Sequence, residues 1–363
     1  SEGYICSREK VGYFVETVER RAPVSAAPAR RAKEDAACLL DLTANGTEQF
    51  PFSVWSRLQR EVMLDFGEAL LAPLPNRGVP ELRQAIAGHL AAFRGMRVDP
   101  ENILIGAGTD FLYNLLIQLL GREKIYAVEE PGYGKIRKIY AAGGVKTVSA
   151  AMDDRGVLPE SLGSADVLHI SPSHHFPTGI VTPVSRRREL LDWANRGEKW
   201  IIEDDYDSEF RFDAHPVPAM QSLDDGGRVI YMNSFSKSLA PSIRISYMVL
   251  PGGLMAAFQQ KLGFYSCTVP SFEQYTLARF IGRGFFEKHI NRMRKFYKSR
   301  RNAVVSLLEK CSFSDKLTIQ EQDAGLHFLL NVATSLSDQA LTDNAENPQK
   351  VRESVMQVAM DYL

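Results

Sequence analysis

Cysteine is scarce and scattered: Cys6, Cys38, Cys267 and Cys311 lie far apart with no paired spacing. That pattern excludes a disulfide framework and a cysteine-built zinc site, and it suits a reducing compartment. Net charge is scarce too, a formal -1 over 363 residues, so the chain has no general attraction to nucleic acid. Any contact with DNA has to come from a local patch or a further segment. No apolar run reaches the length that spans a bilayer, and the first residues lack the charged-then-apolar order of a secretory signal. The expectation is a soluble protein of the cytoplasm. What the chain has in quantity is apolar side chain, 45% of residues, enough for a sizeable core shared between one large and one smaller domain.

The stretch Asn233-Ser234-Phe235-Ser236-Lys237-Ser238-Leu239-Ala240-Pro241-Ser242-Ile243-Arg244 concentrates reactive groups. It joins two short apolar runs, Val229-Ile230-Tyr231-Met232 and Ile245-Ser246-Tyr247-Met248-Val249-Leu250, which read as strands. A lysine among small hydroxyls in the turn between buried strands, with its amine partly desolvated, is a nucleophile for an aldehyde. Arg244 adds a planar fork suited to phosphate. Hydroxyls, lysine and arginine together describe a site for a phosphorylated aldehyde, of which pyridoxal phosphate is the common one. Taken alone, the same stretch fits a turn with an exposed lysine equally well.

The rest of the chain supplies other parts. Residues 1–16 read as two short strands, Tyr4-Ile5-Cys6 and Tyr13-Phe14-Val15, around a charged turn, and a lone hairpin has to belong to something larger. Residues 17–38 read as a flexible linker. Asp41 to Phe66 holds the loop Thr43-Ala44-Asn45-Gly46 and a helix with Trp55, Leu58 and Val62 on one face, and Pro80 opens a helix whose inner stripe is Leu82, Ile86 and Leu90. The strand Ile103-Leu104-Ile105 runs into Gly106-Ala107-Gly108-Thr109-Asp110 and an apolar helix, a turn whose free N–H groups suit phosphate and which also occurs for packing alone. A strand from Lys124 to Glu129 presents Tyr133, placed to stack on a flat ring or to anchor its loop. After Val167-Leu168-His169-Ile170 come His174 and His175 in a Pro-rich segment that reads as a surface turn, with no third metal ligand at a matched spacing. A helix from Ser185 to Asn195 leads to Trp200-Ile201-Ile202-Glu203-Asp204-Asp205-Tyr206-Asp207. The carboxylates there suit magnesium, or the pyridine nitrogen of pyridoxal phosphate. The alternation predicts an α/β fold, a mainly parallel sheet with its site at the strands' carboxyl ends, followed by a smaller α+β unit. Within that unit, the basic run Arg292 to Arg301 reads as the solvated face of a helix from Phe285 to Leu308.

Two sets of residues carry a family resemblance. The opening hairpin resembles the wing of the winged helix-turn-helix domain in GntR-type transcription regulators. The helices that precede a wing are missing, and the expectation is a shortened chain. The motifs Glu129-Glu130-Pro131-Gly132-Tyr133, Pro172-Ser173-His174-His175-Phe176-Pro177-Thr178-Gly179, Ile202-Glu203-Asp204-Asp205-Tyr206-Asp207-Ser208-Glu209-Phe210 and Ser234-Phe235-Ser236-Lys237 with Arg244 resemble, from Leu42 to Val332, a fold-type I aminotransferase. The combination is similar to a MocR-type regulator. The resemblance implies a wing remnant over 1–16, an arm over 39–66, a large pyridoxal-phosphate domain over 67–255 and a small C-terminal domain over 256–363. It implies Lys237 as the Schiff-base lysine, Asp204 on the pyridine nitrogen, Tyr206 on the ring hydroxyl and Tyr133 stacking. Ser234, Ser236, Arg244 and the backbone at Gly108, Thr109 and Asp110 would hold the phosphate, and His174 would touch the ring. Partners implied are DNA, an amino compound as effector or substrate, and a second copy of the chain. Pro73 stands where the family often has a cross-subunit tyrosine, and His174-His175-Phe176 replaces the asparagine near the ring hydroxyl. After Val332 only Arg352 remains for a substrate carboxylate. The function expected is a cofactor-binding effector domain, with a working aminotransferase and a cofactor sensor as alternatives.

Overall fold

The computed structural model describes residues 5–8, 12–15, 49–210, 217–311, 314–320, 326–327 and 329–333. The linker expected over 17–38, the loop Thr43-Ala44-Asn45-Gly46, the polar segment Thr334 to Lys350 and Arg352 lie outside them. Contacts divide the chain into two units, Ser1–Leu42 and Thr43–Leu363. In the first, β1 (Ile5–Arg8) and β2 (Gly12–Val15) pair antiparallel, Ile5 opposite Val15 and Arg8 opposite Gly12, which is the hairpin read from the sequence.

The second unit opens with α1 (Phe52–Phe66), which buries Leu58 and Val62, and α2 (Pro80–Arg94), which buries Leu82, Ile86 and Leu90. Proline at the first position suits a helix start, and Gly95 at φ 66 ends α2 in the left-handed region that a Cβ disfavours. There follow β3 (Ile103–Gly106), α3 (Thr109–Leu120), β4 (Ile125–Glu130), α4 (Gly134–Ala142), β5 (Lys146–Asp153), β6 (Gly156–Val157) and β7 (Val167–Ile170). Next come α5 (Val184–Arg196), β8 (Trp200–Asp204), α6 (Met220–Leu223), β9 (Val229–Ser234), α7 (Phe235–Ser238) and β10 (Ser246–Val249). The chain closes with α8 (Gly252–Leu262), α9 (Ser271–Gly282), α10 (Phe285–Lys310) and the antiparallel pair β11 (Leu317–Gln320) and β12 (Leu329–Val332).

The eight-stranded sheet runs β3-β10-β9-β8-β7-β4-β5-β6. Neighbours from β9 through β5 are parallel, whereas β10 is antiparallel to both β9 and β3. Two reversals across β10 return β3 to the common direction, so β3, β4, β7, β8 and β9 all end at one edge. Side chains alternate between the faces. Leu104, Ile202, Ile230, Met232 and Met248 join α3 and α8 in one cluster, while Ile103, Ile105, Tyr231, Tyr247 and Val249 pack with α2, α9 and α10 on the other face. Ala127, Leu168, Ile170 and Ile201 continue that second face under α5. Being covered twice, the central strands read as unbroken apolar runs.

Two readings need correction. Lys237 sits in the short helix α7, whose N-terminus is capped by the Ser234 hydroxyl accepting from the Ser236 N–H, and not in an open turn. The basic face of α10 is only partly solvated. Arg294 donates from Nε to the Glu209 carbonyl at 2.6 Å and lies over the Phe93 ring at 5.1 Å, and Arg292 donates to the Gln49 carbonyl at 2.8 Å.

Candidate functional site

Strand alternation sorts the carboxylates at the end of β8. Glu203 points to one face, where it accepts from the N–H groups of Met220 and Gln221 at 2.8 and 2.9 Å and lies 3.7 Å from Arg187. Asp205 shares that side, with Arg94 at 3.1 Å and the Tyr231 hydroxyl donating at 2.7 Å. Asp204 points the other way. Tyr113 of α3 donates its hydroxyl to Oδ2, His169 Nε2 stands 3.6 Å from the same oxygen, and Tyr140 bonds to His169 Nδ1 at 2.7 Å. Burial, then the charge of Asp204, pushes the Tyr113 phenol well above its ordinary pKa, which keeps it a donor. Oδ1 of Asp204 is buried and has no hydrogen-bond partner among the described residues. With Glu203 and Asp205 committed elsewhere, the carboxylates do not converge as a magnesium site would require.

A second corner forms where β3, β10 and β9 meet. Ser246 of β10 pairs with both Gly106 and Ser234, so the Gly106–Thr109 turn and the Ser234–Arg244 stretch leave the sheet side by side. Ser234 Oγ donates to Ser236 Oγ at 2.9 Å. The exposed Arg244 donates to the Ala107 carbonyl at 3.3 Å and stands 3.6 Å from Asp110, whose carboxylate also holds Lys135 at 2.9 Å. Gly108 starts α3 at φ 91 and ψ 161, a region open to glycine alone, and a Cβ there would meet Arg244 Nη2 at 2.5 Å. Gly108→Ala is therefore expected to cost about 1–3 kcal/mol of folding stability by urea denaturation, with the Arg244 guanidinium displaced.

The third wall is aromatic and imidazole. The segment expected as a surface turn is interior: His174 and His175 are 2% and 1% exposed. His174 Nδ1 donates to Asp207 Oδ2 at 2.7 Å, and the Tyr206 hydroxyl lies 3.5 Å from the same nitrogen. His327 brings its ring to 4.1 Å from that of His174, and Phe176 stands edge-on to His327 at 5.3 Å and to Tyr133 at 5.7 Å. Tyr133 is half exposed and held by this edge contact. Lys237 is half-buried nearby, since its positive charge is among the influences that lower the His327 pKa to about 4, after burial and His174. Behind the wall Glu129 accepts from the Ser171 N–H at 3.2 Å, and burial followed by the charge of Asp204 pushes its carboxyl well above the usual range. His174, Asp207 and His327 bring one ligating atom each to within 4.8 Å of one another, the third ligand that sequence spacing did not show.

Sequence reasoning missed Tyr113, His169, Tyr140 and His327, and it read Asp207 only as one of the carboxylates after β8. A signal existed for His169 and Tyr113, because a polar group inside an apolar strand or helix stripe has to be satisfied by a partner. His327 follows no period and carried none.

The sheet, the lysine beyond its β9 strand and the carboxylate at the end of β8 define a class, the fold-type I α/β proteins whose cofactor is pyridoxal phosphate. Residues 39–355 match the family of aminotransferases class I and II, and the chain belongs to the HTH-type regulators of MocR type that carry this domain. It is similar to the HTH-type transcriptional regulator YdeL of Bacillus subtilis, 36% identical over 95% of this chain and 76% of that protein. It is also similar to the probable rhizopine catabolism regulatory protein MocR of Rhizobium meliloti, 37% identical over 80% of this chain and 60% of that one. Among solved structures, Pyrococcus horikoshii kynurenine aminotransferase superposes with a TM-score of 0.72 at 26% identity, over 83% of this chain and 77% of that chain. No described helix is long and apolar enough to cross a membrane.

Proposed function

We propose that this chain is the effector domain of a MocR-type transcription regulator, holding pyridoxal phosphate as an internal aldimine on Lys237, with exchange of that lysine for an incoming amine as the signal. The carrying observation is Asp204: Tyr113 fixes one carboxylate oxygen, and the buried Oδ1 is without a partner among the described residues. A protonated pyridine nitrogen is a donor that would satisfy it. The corner at Gly108 supports a phosphate on separate grounds, since the missing Cβ lets the Arg244 guanidinium lie against the backbone that opens α3. Bound pyridoxal phosphate supplies an aldehyde carbon for amines and a ring that draws electrons from it.

The chain's own residues do the rest. Asp204 keeps the ring nitrogen protonated, and the backbone of Gly108, Thr109 and Asp110 joins Ser234, Ser236 and Arg244 on the phosphate. Lys135 and Arg244 both pair with Asp110, so their charge offsets its carboxylate there. Burial, then Asp207 and Asp204, raises the Tyr206 phenol far above its ordinary pKa, which suits a donor to the ring hydroxyl. Tyr133 covers the ring and His174 contacts it.

The regulator reading draws on the β1–β2 hairpin, read as the wing of a DNA-binding domain, and on relatives that bear regulator names. Phe52, Leu64, Leu71 and Phe264, each more than two-thirds exposed, suit burial against a second copy of the chain in the cytoplasm. The match to class I and II aminotransferases supports a second reading, a working aminotransferase. Spectroscopy separates them. Wild-type protein mixed with pyridoxal phosphate is expected to gain the visible band of a lysine-bound aldehyde, and amines should shift that band and stop borohydride from fixing the cofactor to the chain, without steady keto-acid turnover. Steady turnover would establish the enzyme, and no band would overturn the site.

A further inference from the structure

His174, Asp207 and His327 cluster in the wall near Lys237. His174 gives its Nδ1 proton to the Asp207 carboxylate, which also accepts from the Leu326 N–H at 3.3 Å. His327 directs a ring N–H to the backbone of His175. Both imidazoles thereby have one nitrogen committed as donor, and in the neutral ring the other, Nε2, is an acceptor. Each Nε2 is buried and without a hydrogen-bond partner among the described residues, and His174 is only 2% exposed. The rings face one another at 4.1 Å with 39° between their planes, beneath the edge of Phe176.

Resting on the proposed cofactor reading, we propose that His174 and His327 receive the non-reacting end of the effector, and that this end is a hydrogen-bond donor, a hydroxyl or a second amine, instead of a carboxylate. Two lone pairs meet such a donor directly. A carboxylate would place its own lone pairs against theirs and its charge toward Asp207, leaving buried acceptors unmatched. Asp207, one hydrogen bond behind His174, strengthens the Nε2 lone pair as an acceptor.

The test uses the full chain loaded with pyridoxal phosphate and length-matched series of linear amino alcohols, diamines and ω-amino acids. Binding is read from the visible spectrum and compared at the best length in each series. At least one donor series is expected to bind about tenfold or more tighter than the acids, one to two hydrogen bonds' worth, and the alcohol and diamine arms show which donor is meant. His327→Phe should bring that ratio close to one, while His327→Gln, which keeps an acceptor, should preserve most of it. Because the readout is a ratio on one protein, changes in cofactor loading cancel. Acids that bind as tightly as both donor series, or a ratio unmoved by His327→Phe, would overturn the proposal with the cofactor reading intact. Wild type that forms no band would overturn the cofactor reading and this proposal with it.

Discussion

Lys237→Ala is expected to lose all covalent attachment of pyridoxal phosphate. The visible band should be absent at any cofactor concentration, and borohydride, which converts an imine to a stable amine, should fix a pyridoxyl group on the wild-type peptide containing residue 237 and none on the variant. The effect is large because an imine to the chain requires a primary amine at this position. Lys237 lies in α7 directly beyond β9, and Asp204 of β8 registers opposite Met232 of β9, so the amine and the carboxylate leave adjacent strands within a few residues of one another. Lys135, the other lysine near the phosphate corner, is paired with Asp110 at 2.9 Å. Lys237→Arg separates charge from chemistry: it keeps a cation beside His327 but forms no imine, so it should match alanine in the borohydride assay. Retention of the band in either variant would remove Lys237 from the site. Phosphate contacts at Ser234, Ser236 and Arg244 do not depend on the lysine, so the variants should still bind the cofactor reversibly and release it on gel filtration.

The strands flanking that lysine were legible because a strand covered on both faces has to be apolar throughout, and β3, β9 and β10 are buried along their whole length. The order of motifs also gave the βα alternation. β5 was not read, since Lys-Thr-Val-Ser-Ala-Ala-Met-Asp lies toward the sheet's edge with mixed burial and has no unbroken apolar run. The support for Asp204 was invisible for a different reason. Tyr113 and Asp204 are 91 positions apart, and only the packing of α3 on the sheet brings them together. The same holds for His327, which reaches His174 from beyond α10. Periodicity reports which face a residue takes, not which distant residue it meets there. The three adjacent carboxylates could be counted in the sequence, but their division between two faces became informative only once Arg94 and Arg187 were seen on one of them.

Arg94→Met is expected to destabilise the fold by about 3–5 kcal/mol, read as a lower denaturation midpoint at unchanged slope. Arg94 ends α2 with its side chain 4% exposed, and Asp205 opposite is completely buried. Its guanidinium lies 3.1 Å from Asp205 and donates to Ser173 Oγ at 3.1 Å, tying α2 to the loop that carries His174. Burial opposes the charge on both partners. The proximity of each to the other outweighs it, raising the Arg94 pKa and lowering that of Asp205. Methionine fills a similar volume, so the loss comes from Asp205, left as a buried carboxylate beside Glu203 and Glu209. The pH dependence follows from the direction of the shift. A depressed carboxyl pKa contributes stability that is present above the ordinary carboxylate range and lost as pH falls through the folded value, so the gap between wild type and variant should narrow in acid. Arg94→Met combined with Asp205→Asn should recover part of the deficit, because the stranded charge is gone and the Tyr231 hydroxyl keeps an acceptor at residue 205. If the single variant lost less than about 1 kcal/mol, the pair would be behaving like an exposed one and its role in seating the His174 loop would fall.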